Sequence, residues 1–262
     1  MTDIKSYEER LKEWNRARFA PQPERELNPC EPSLVSDVAM GDGVKLYTEV
    51  FLPETIKRPY PVILLRSPYP YSRPSRDDKM PISRYLASGY VIVFQLMRGQ
   101  GQSEGTFHFL SDDVNDGYDT IAWIAGQAWC DGNVGMQGPS YLGSTQLLAA
   151  RAKPPALKCI MPTAFVGNLA GCFPFSYGVP SKSPYMQWHQ VADAERWDDM
   201  DVAYCDTNAL NHPNWGPAFK HRPLVDAANT VLSGDKLASW RETISHPMDD
   251  EYWAPVHFTD EE

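Results

Sequence analysis

Ser140 is the residue best placed for covalent chemistry, in the run Asn133-Val-Gly-Met-Gln-Gly138-Pro139-Ser140-Tyr141-Leu142-Gly143. A serine attacks well when a sharp turn lifts its hydroxyl clear of a sheet, and Gly138 and Gly143 leave room for a strand and a helix to pass close by. The usual elbow is G-x-S-x-G; here Leu142 takes the place of the second glycine and Gly143 follows one residue later. At the start of a helix, backbone N–H groups and the helix dipole favour developing negative charge, so the Tyr141 N–H is the natural oxyanion donor. The chemistry would be acyl transfer through a seryl ester. An ordinary N-cap serine would occupy the same place. The strand–turn–helix context is what points to a nucleophile.

That context is built by the elements around it. Val35–Ala39, the turn pair Asp42-Gly43 and the alternating run Val44–Leu52 predict an antiparallel hairpin with one buried face. Pro61–Leu65 and Tyr90–Leu96 are almost continuously apolar and β-branched, as parallel strands covered on both faces must be. Ile82–Ser88 between them predicts a crossover helix ended by Gly89. Asp113–Gly126, with its acidic start, predicts another helix. Asn133–Gln137 predicts a short strand, Tyr141–Arg151 a helix, and Leu157–Met161 a further buried strand. Strands alternating with helices in this way imply a mostly parallel sheet. Ahead of it all, Ser6–Phe19 has apolar residues at near-helical spacing and predicts an amphipathic helix, ended by the Pro-rich run Pro21–Pro32. After Ala164 the texture changes to Trp, Tyr, Pro, Asn and Asp without β-branched runs, which predicts short helices and loops forming a lid.

Composition narrows the function. A chain of 262 residues, 42% hydrophobic, can bury a core unaided. A net charge of −10 argues against nucleic-acid binding, which depends on Lys and Arg neutralising phosphates. No apolar run approaches the roughly 20 residues that span a bilayer, and Met1–Ala20 is charged and amphipathic rather than a signal peptide. Cys30, Cys130, Cys159, Cys172 and Cys205 are odd in number and have no CxxC pair, and they read as reduced, buried cysteines. The six histidines form no HExxH motif and no close His/Cys cluster, so no metal and no cofactor are expected. Gly99-x-Gly101 lacks the third glycine of a dinucleotide fingerprint, since Glu104 stands there.

The run Trp129-Cys130-Asp131-Gly132-Asn133-Val134-Gly135-Met136, followed by Gly138-x-Ser140-Tyr141-Leu142-Gly143, resembles the X-Pro dipeptidyl-peptidase, cocaine esterase and α-amino-acid ester hydrolase family. Met40-x-Asp42-Gly43-Val44-x-Leu46, Arg66-Ser67-Pro68-Tyr69, Arg98-Gly99 and Ser103-Glu104-Gly105 follow the family's order, as does His246-Pro247-x-x-Asp250-Glu251-x-Trp253 at the end of its cap. The resemblance implies that Tyr69 gives its phenolic hydroxyl to the oxyanion hole, with Tyr71 a weaker candidate. Two departures stand out. Leu96 occupies a position that is acidic in the family, so no polar network is expected to centre there. The family's catalytic Asp and His follow the cap, which in this numbering places them beyond Glu262. A local substitute, Asp226 or Asp249 with His246 or His257, is disfavoured because isolated His and Asp in loop-rich segments are usually surface or capping residues.

The reading is therefore an α/β-hydrolase fold, a mostly parallel doubly wound sheet with a helical cap insertion and a core incomplete at its C-terminus. Residues 1–34 form a leading helix and Pro-rich segment, 35–165 the core, and 166–262 the cap. Phe165, Phe173, Phe175, Tyr177, Trp188 and Trp197 are candidates for the wall of the acyl pocket. The function expected is ester or amide hydrolysis through an acyl-enzyme on Ser140, with Tyr69 and Tyr141 as oxyanion donors and little turnover in this chain by itself. The alternatives are a non-catalytic binding module and an acyltransferase on the same fold. A cytoplasmic protein is expected, acting on a small ester or peptide, with no nucleic-acid or membrane partner and compatible with a homo-oligomer.

Overall fold

The computed structural model describes residues 31–53, 59–69, 82–164, 175–176, 179–180, 188–189, 215–230, 238–246 and 251–258. The expected leading helix Ser6–Phe19, Tyr71, Asp249, His212 and Cys30, Cys172 and Cys205 lie outside these residues, as do the wall candidates Phe165, Phe173, Tyr177 and Trp197 and the side chain of Phe175.

The sheet opens with the antiparallel hairpin of β1 (Leu34–Ala39) and β2 (Lys45–Phe51). At its turn the Asp42 carboxylate accepts the Val44 N–H at 3.0 Å, the local bond by which Asp stabilises a reversal. β3 (Tyr60–Ser67), β4 (Val91–Leu96), β5 (Cys130–Pro139) and β6 (Leu157–Thr163) complete six strands in the order β1-β2-β4-β3-β5-β6. β2 runs antiparallel to β4, and the β3–β4, β3–β5 and β5–β6 pairs are parallel. This mixed, mostly parallel sheet is an α/β-hydrolase core.

Each parallel pair needs a crossover. α1 (Ser83–Ala87) joins β3 to β4, α2 (Asp113–Ala125) joins β4 to β5, and α3 (Tyr141–Arg151) joins β5 to β6. α2 and α3 touch where a Cβ on Gly117 would lie 2.7 Å from the Ala149 Cβ, so only glycine allows that approach. Beneath them Val62, Val93, Ile121, Ile124, Val134 and Met136 form one buried cluster, each side chain contributing about 1.5–3 kcal/mol by leaving water.

Two expectations change. β6 is the outer strand of the described sheet, paired only with β5, and is half-buried or exposed along its length rather than buried. Met161 is 58% exposed, and Cys159 on the same strand is an exposed free thiol rather than a core residue. Leu96, on which no polar network is expected to centre, lies in an apolar cluster, and a network centres one residue earlier, on Gln95. Strand alternation sends Phe94 and Leu96 to one face of β4, among Phe51, Leu65 and Ile92. Gln95 faces the other way and meets Arg66 Nε at 3.0 Å, Thr120 Oγ1 at 2.8 Å and Thr48 Oγ1 at 3.1 Å. Arg66 reaches Asp113 at 3.3 Å and Asp116 at 3.8 Å. Asp116 is bound in turn by Arg98 at 2.7 Å, and Arg98 reaches Asp42 at 2.7 Å. The acidic start of α2 therefore turns inward to neutralise an arginine from β3 in addition to complementing the helix dipole.

Beyond β6 lie the two-stranded pair β7 (Phe175–Ser176) and β8 (Val179–Pro180), α4 (Trp215–Lys220), a 3-10 helix at Leu224–Thr230, α5 (Ala238–Ser245) and a second 3-10 helix at Glu251–Val256. Trp240 of α5 and Trp253 are buried in the same apolar cluster as Tyr69, Tyr141 and Leu142. No helix among the described residues is long and apolar enough to cross a membrane.

Candidate active site

Ser140 stands between the end of β5 and the first turn of α3, at φ 59° and ψ −127°. A non-glycine residue with positive φ is held there by its surroundings. The Ser140 N–H donates to the Thr163 carbonyl at 3.0 Å, and the Ser140 carbonyl accepts the Gly143 N–H at 2.8 Å. Two residues earlier Gly138 has φ +141°, and a Cβ on it would sit 2.5 Å from the Leu142 Cβ. The residue just before Ser140 and Ser140 itself are exposed, while Tyr141 and Leu142 are buried. A capping serine would turn its oxygen onto the N–H groups of its own helix; Ser140 makes no such side-chain bond.

Gln146 fastens the turn from within α3. Its Nε2 donates to the carbonyls of Gly138 at 3.1 Å and Leu142 at 2.9 Å, and its Oε1 accepts the Met161 N–H at 2.8 Å. One buried amide thus ties the end of β5, the start of α3 and β6 together. The sequence signal for this was a glutamine among the buried residues of that helix.

Tyr69 follows β3, the neighbour of β5. Its Oη lies 3.5 Å from Ser140 Oγ, a long contact of the kind that tightens as charge develops. The Ser67 hydroxyl accepts the Tyr69 N–H at 3.0 Å, and the Trp188 indole Nε1–H donates to the Tyr69 hydroxyl at 2.9 Å. Burial raises the Tyr69 hydroxyl above its ordinary value of 10.0, while Ser140, Trp188 and the Tyr141 backbone N–H act against that shift. The phenol therefore stays protonated across the neutral range and has a proton to offer an oxyanion as a neutral donor.

Tyr141 contributes more than its backbone. Its hydroxyl donates to Asp113 Oδ2 at 3.1 Å and accepts the Leu110 N–H at 2.8 Å. Its ring lies flat on Trp188, with centroids 5.4 Å apart and planes 6° from parallel. Burial pushes the Asp113 carboxyl up to about 6 although Arg66 pulls it down. The elbow thus rests on an aromatic stack on one side and on the Arg66 network on the other. Sequence reasoning placed neither Asp113 nor Arg66 near the site; the one signal was an arginine within an apolar strand, which must find carboxylates if it is buried.

No histidine is hydrogen-bonded to Ser140 among the described residues. His108 Nδ1 pairs with Glu242 at 2.9 Å, and His246 stacks on Tyr252 at 4.2 Å. His189 is buried against the Ser239 hydroxyl, and burial lowers it to about 3, so it is neutral. The described residues contain no group of three or more His, Cys, Asp or Glu arranged to hold a metal ion.

Residues 42–260 match the sequence profile of the X-Pro dipeptidyl-peptidase (S15) family. Over 241 residues the chain is 41% identical to a cocaine esterase from Rhodococcus sp. strain MB1 Bresler, covering 84% of this chain and 39% of that protein. Among solved structures, a CocE/NonD family hydrolase from Staphylococcus aureus aligns with a TM-score of 0.55 and 26% identity over 74% of this chain and 38% of that one. An α-amino acid ester hydrolase aligns with a TM-score of 0.62 and 24% identity over 91% of this chain and 41% of that one, a likeness of fold. The chain spans about two fifths of the length of the relatives it matches.

Proposed function

Because the chain belongs to the X-Pro dipeptidyl-peptidase (S15) family, whose relatives here are esterases and peptidases, we propose that it supplies the nucleophile and oxyanion hole of a serine hydrolase acting on esters or amides. The observation that carries this reading is the pairing of an exposed serine hydroxyl, held at positive φ over the end of a parallel sheet, with a neutral phenol 3.5 Å away. In the proposed reaction Ser140 Oγ attacks the substrate carbonyl and gives its proton to a general base. The carbonyl oxygen, now negative, is held by the Tyr69 O–H and the Tyr141 N–H. Collapse expels the alcohol or amine, and water then releases the acyl group. Such donors act on charge present only in the transition state, so they lower the barrier without tightening substrate binding.

The family resemblance assigns the base to a histidine oriented by an aspartate on later loops, so the activity is proposed for the protein that carries them. The segments from residue 215 onward, which share a buried cluster with Tyr69 and Tyr141, are proposed as a cap that shapes the acyl pocket. The test is labelling of the complete protein with a fluorophosphonate probe, beside Ser140→Ala. Covalent labelling of the wild type, absent in the variant, is expected. A folded wild type that takes no label overturns the proposal.

A further inference from the structure

Tyr69 must satisfy two conditions if it is to stabilise an oxyanion: its ring must be held in place, and its single proton must point at the reacting oxygen. Burial and the Ser67 contact address the first. The second is not guaranteed, because a phenol C–O bond rotates and the hydroxyl can turn its proton toward any acceptor within reach.

Trp188 bears on that freedom. An indole nitrogen can donate but cannot accept. With Nε1 2.9 Å from the Tyr69 oxygen, the phenol is obliged to be the acceptor on that side, and a proton turned that way would meet the indole N–H head-on. The other described hydroxyl in reach is Ser140 Oγ at 3.5 Å. The indole is itself fixed. It lies flat on the Tyr141 ring at 5.4 Å, and its edge meets Phe109 at 5.3 Å and His189 at 5.2 Å. His189 stays neutral because burial lowers it to about 3, so it brings no positive charge to the indole. An N–H bond onto a phenol oxygen also makes the phenol a better donor at its remaining proton, through the mutual polarisation of linked hydrogen bonds.

We propose that Trp188 is a positioning residue of this site: its indole N–H turns the Tyr69 hydroxyl proton toward Ser140 and the oxyanion that forms there. The proposal rests on the reading of Tyr69 as an oxyanion donor. Trp188 touches no reacting atom in this role; it acts through Tyr69.

The test uses the complete protein with 4-nitrophenyl acetate as substrate. Trp188→Phe removes the donor but also changes the packing. A second variant therefore replaces Trp188 with β-(3-benzothienyl)alanine, which keeps the bicyclic shape and puts sulfur where the N–H was. Both replacements are made in the wild-type and Tyr69→Phe backgrounds. In the wild-type background the benzothienyl variant is expected to lose about tenfold in kcat with KM within twofold, the mark of an interaction realised in the transition state. In the Tyr69→Phe background the same replacement is expected to change kcat by less than twofold, because the group it acts through is gone. Unchanged kcat in the first background, or equal losses in both, overturns the positioning role while leaving the hydrolase reading intact. If Tyr69→Phe by itself leaves kcat unchanged, the oxyanion assignment fails, and the Trp188 inference fails with it.

Discussion

Ser140 at φ 59° follows, across Pro139, a Gly138 at φ +141°, so two unusual backbone conformations are packed into three residues. Strain of this kind persists where the surroundings over-determine it. Here the Thr163 carbonyl, Gln146 and Leu142 do so. Gly138→Ala meets both penalties at once, an unfavourable φ and a Cβ driven into Leu142. It is expected to cost at least about 2 kcal/mol, read as a lowered urea midpoint with unchanged slope. Because relief of the clash must move the turn, labelling of Ser140 by a fluorophosphonate should fall more steeply than stability does. Equal labelling in a folded Gly138→Ala variant would show that the turn does not depend on glycine.

At the scale of elements, the turn at Ser140 leans on the seam where β3, β4 and α2 meet. Arg66, Gln95, Asp113, Asp116 and Thr120 are buried there and bound to one another, although Arg66 Nη2 makes no hydrogen bond among the described residues and faces Asp116 at 3.8 Å. Tyr141 joins this group to the first turn of α3 through its bond to Asp113. The network has a pH signature. Burial raises the Asp113 carboxyl from 3.8 to about 6 in the folded chain. Between those values the folded state holds a proton that the unfolded state has released, so stability is expected to fall as pH rises from about 4 to about 6 and then to level off. Asp113→Asn cannot titrate and should flatten that limb in urea unfolding followed across pH. An unaltered limb in the variant would mean another group is responsible.

The whole molecule brings its far segments onto the site. Trp240, Trp253, Val256, Ala218 and Ala227 join Tyr69, Tyr141 and Leu142 in one apolar cluster, so the described segments after residue 215 pack against the residues that flank Ser140. The weight of that attachment is hydrophobic. Trp253 is 1% exposed, and Trp253→Ala is expected to cost about 3–5 kcal/mol. The His108–Glu242 hydrogen bond bridges the same two regions but has side chains 42% and 30% exposed. Solvent screens such a pair, so Glu242→Gln should cost less than about 1 kcal/mol. Thermal unfolding of the two variants side by side checks this order, and a larger loss in Glu242→Gln would reverse it.

The strands and helices up to Thr163 were legible in the sequence because their signals are local. Alternation in Lys45–Phe51, β-branched runs in β3 and β4, and a serine between a ten-residue strand and an eleven-residue helix all depend on neighbours in the chain. The resemblance to the hydrolase family, and with it the choice of Tyr69, was legible for the same reason: it rests on short runs in a fixed order. Tertiary structure decided the rest. Whether Leu157–Thr163 is inner or outer depends on which strands pair with it, and nothing within those seven residues records that. Gln95 rather than Leu96 carries the polar network because the pleat sets which side of β4 faces α2. Trp188 reaches Tyr69 across 119 positions of sequence, and Arg66 reaches Asp113 across 47. A hydrogen bond or a buried charge pair depends on distance in space, and separations of that length are set only when the chain has closed around its core.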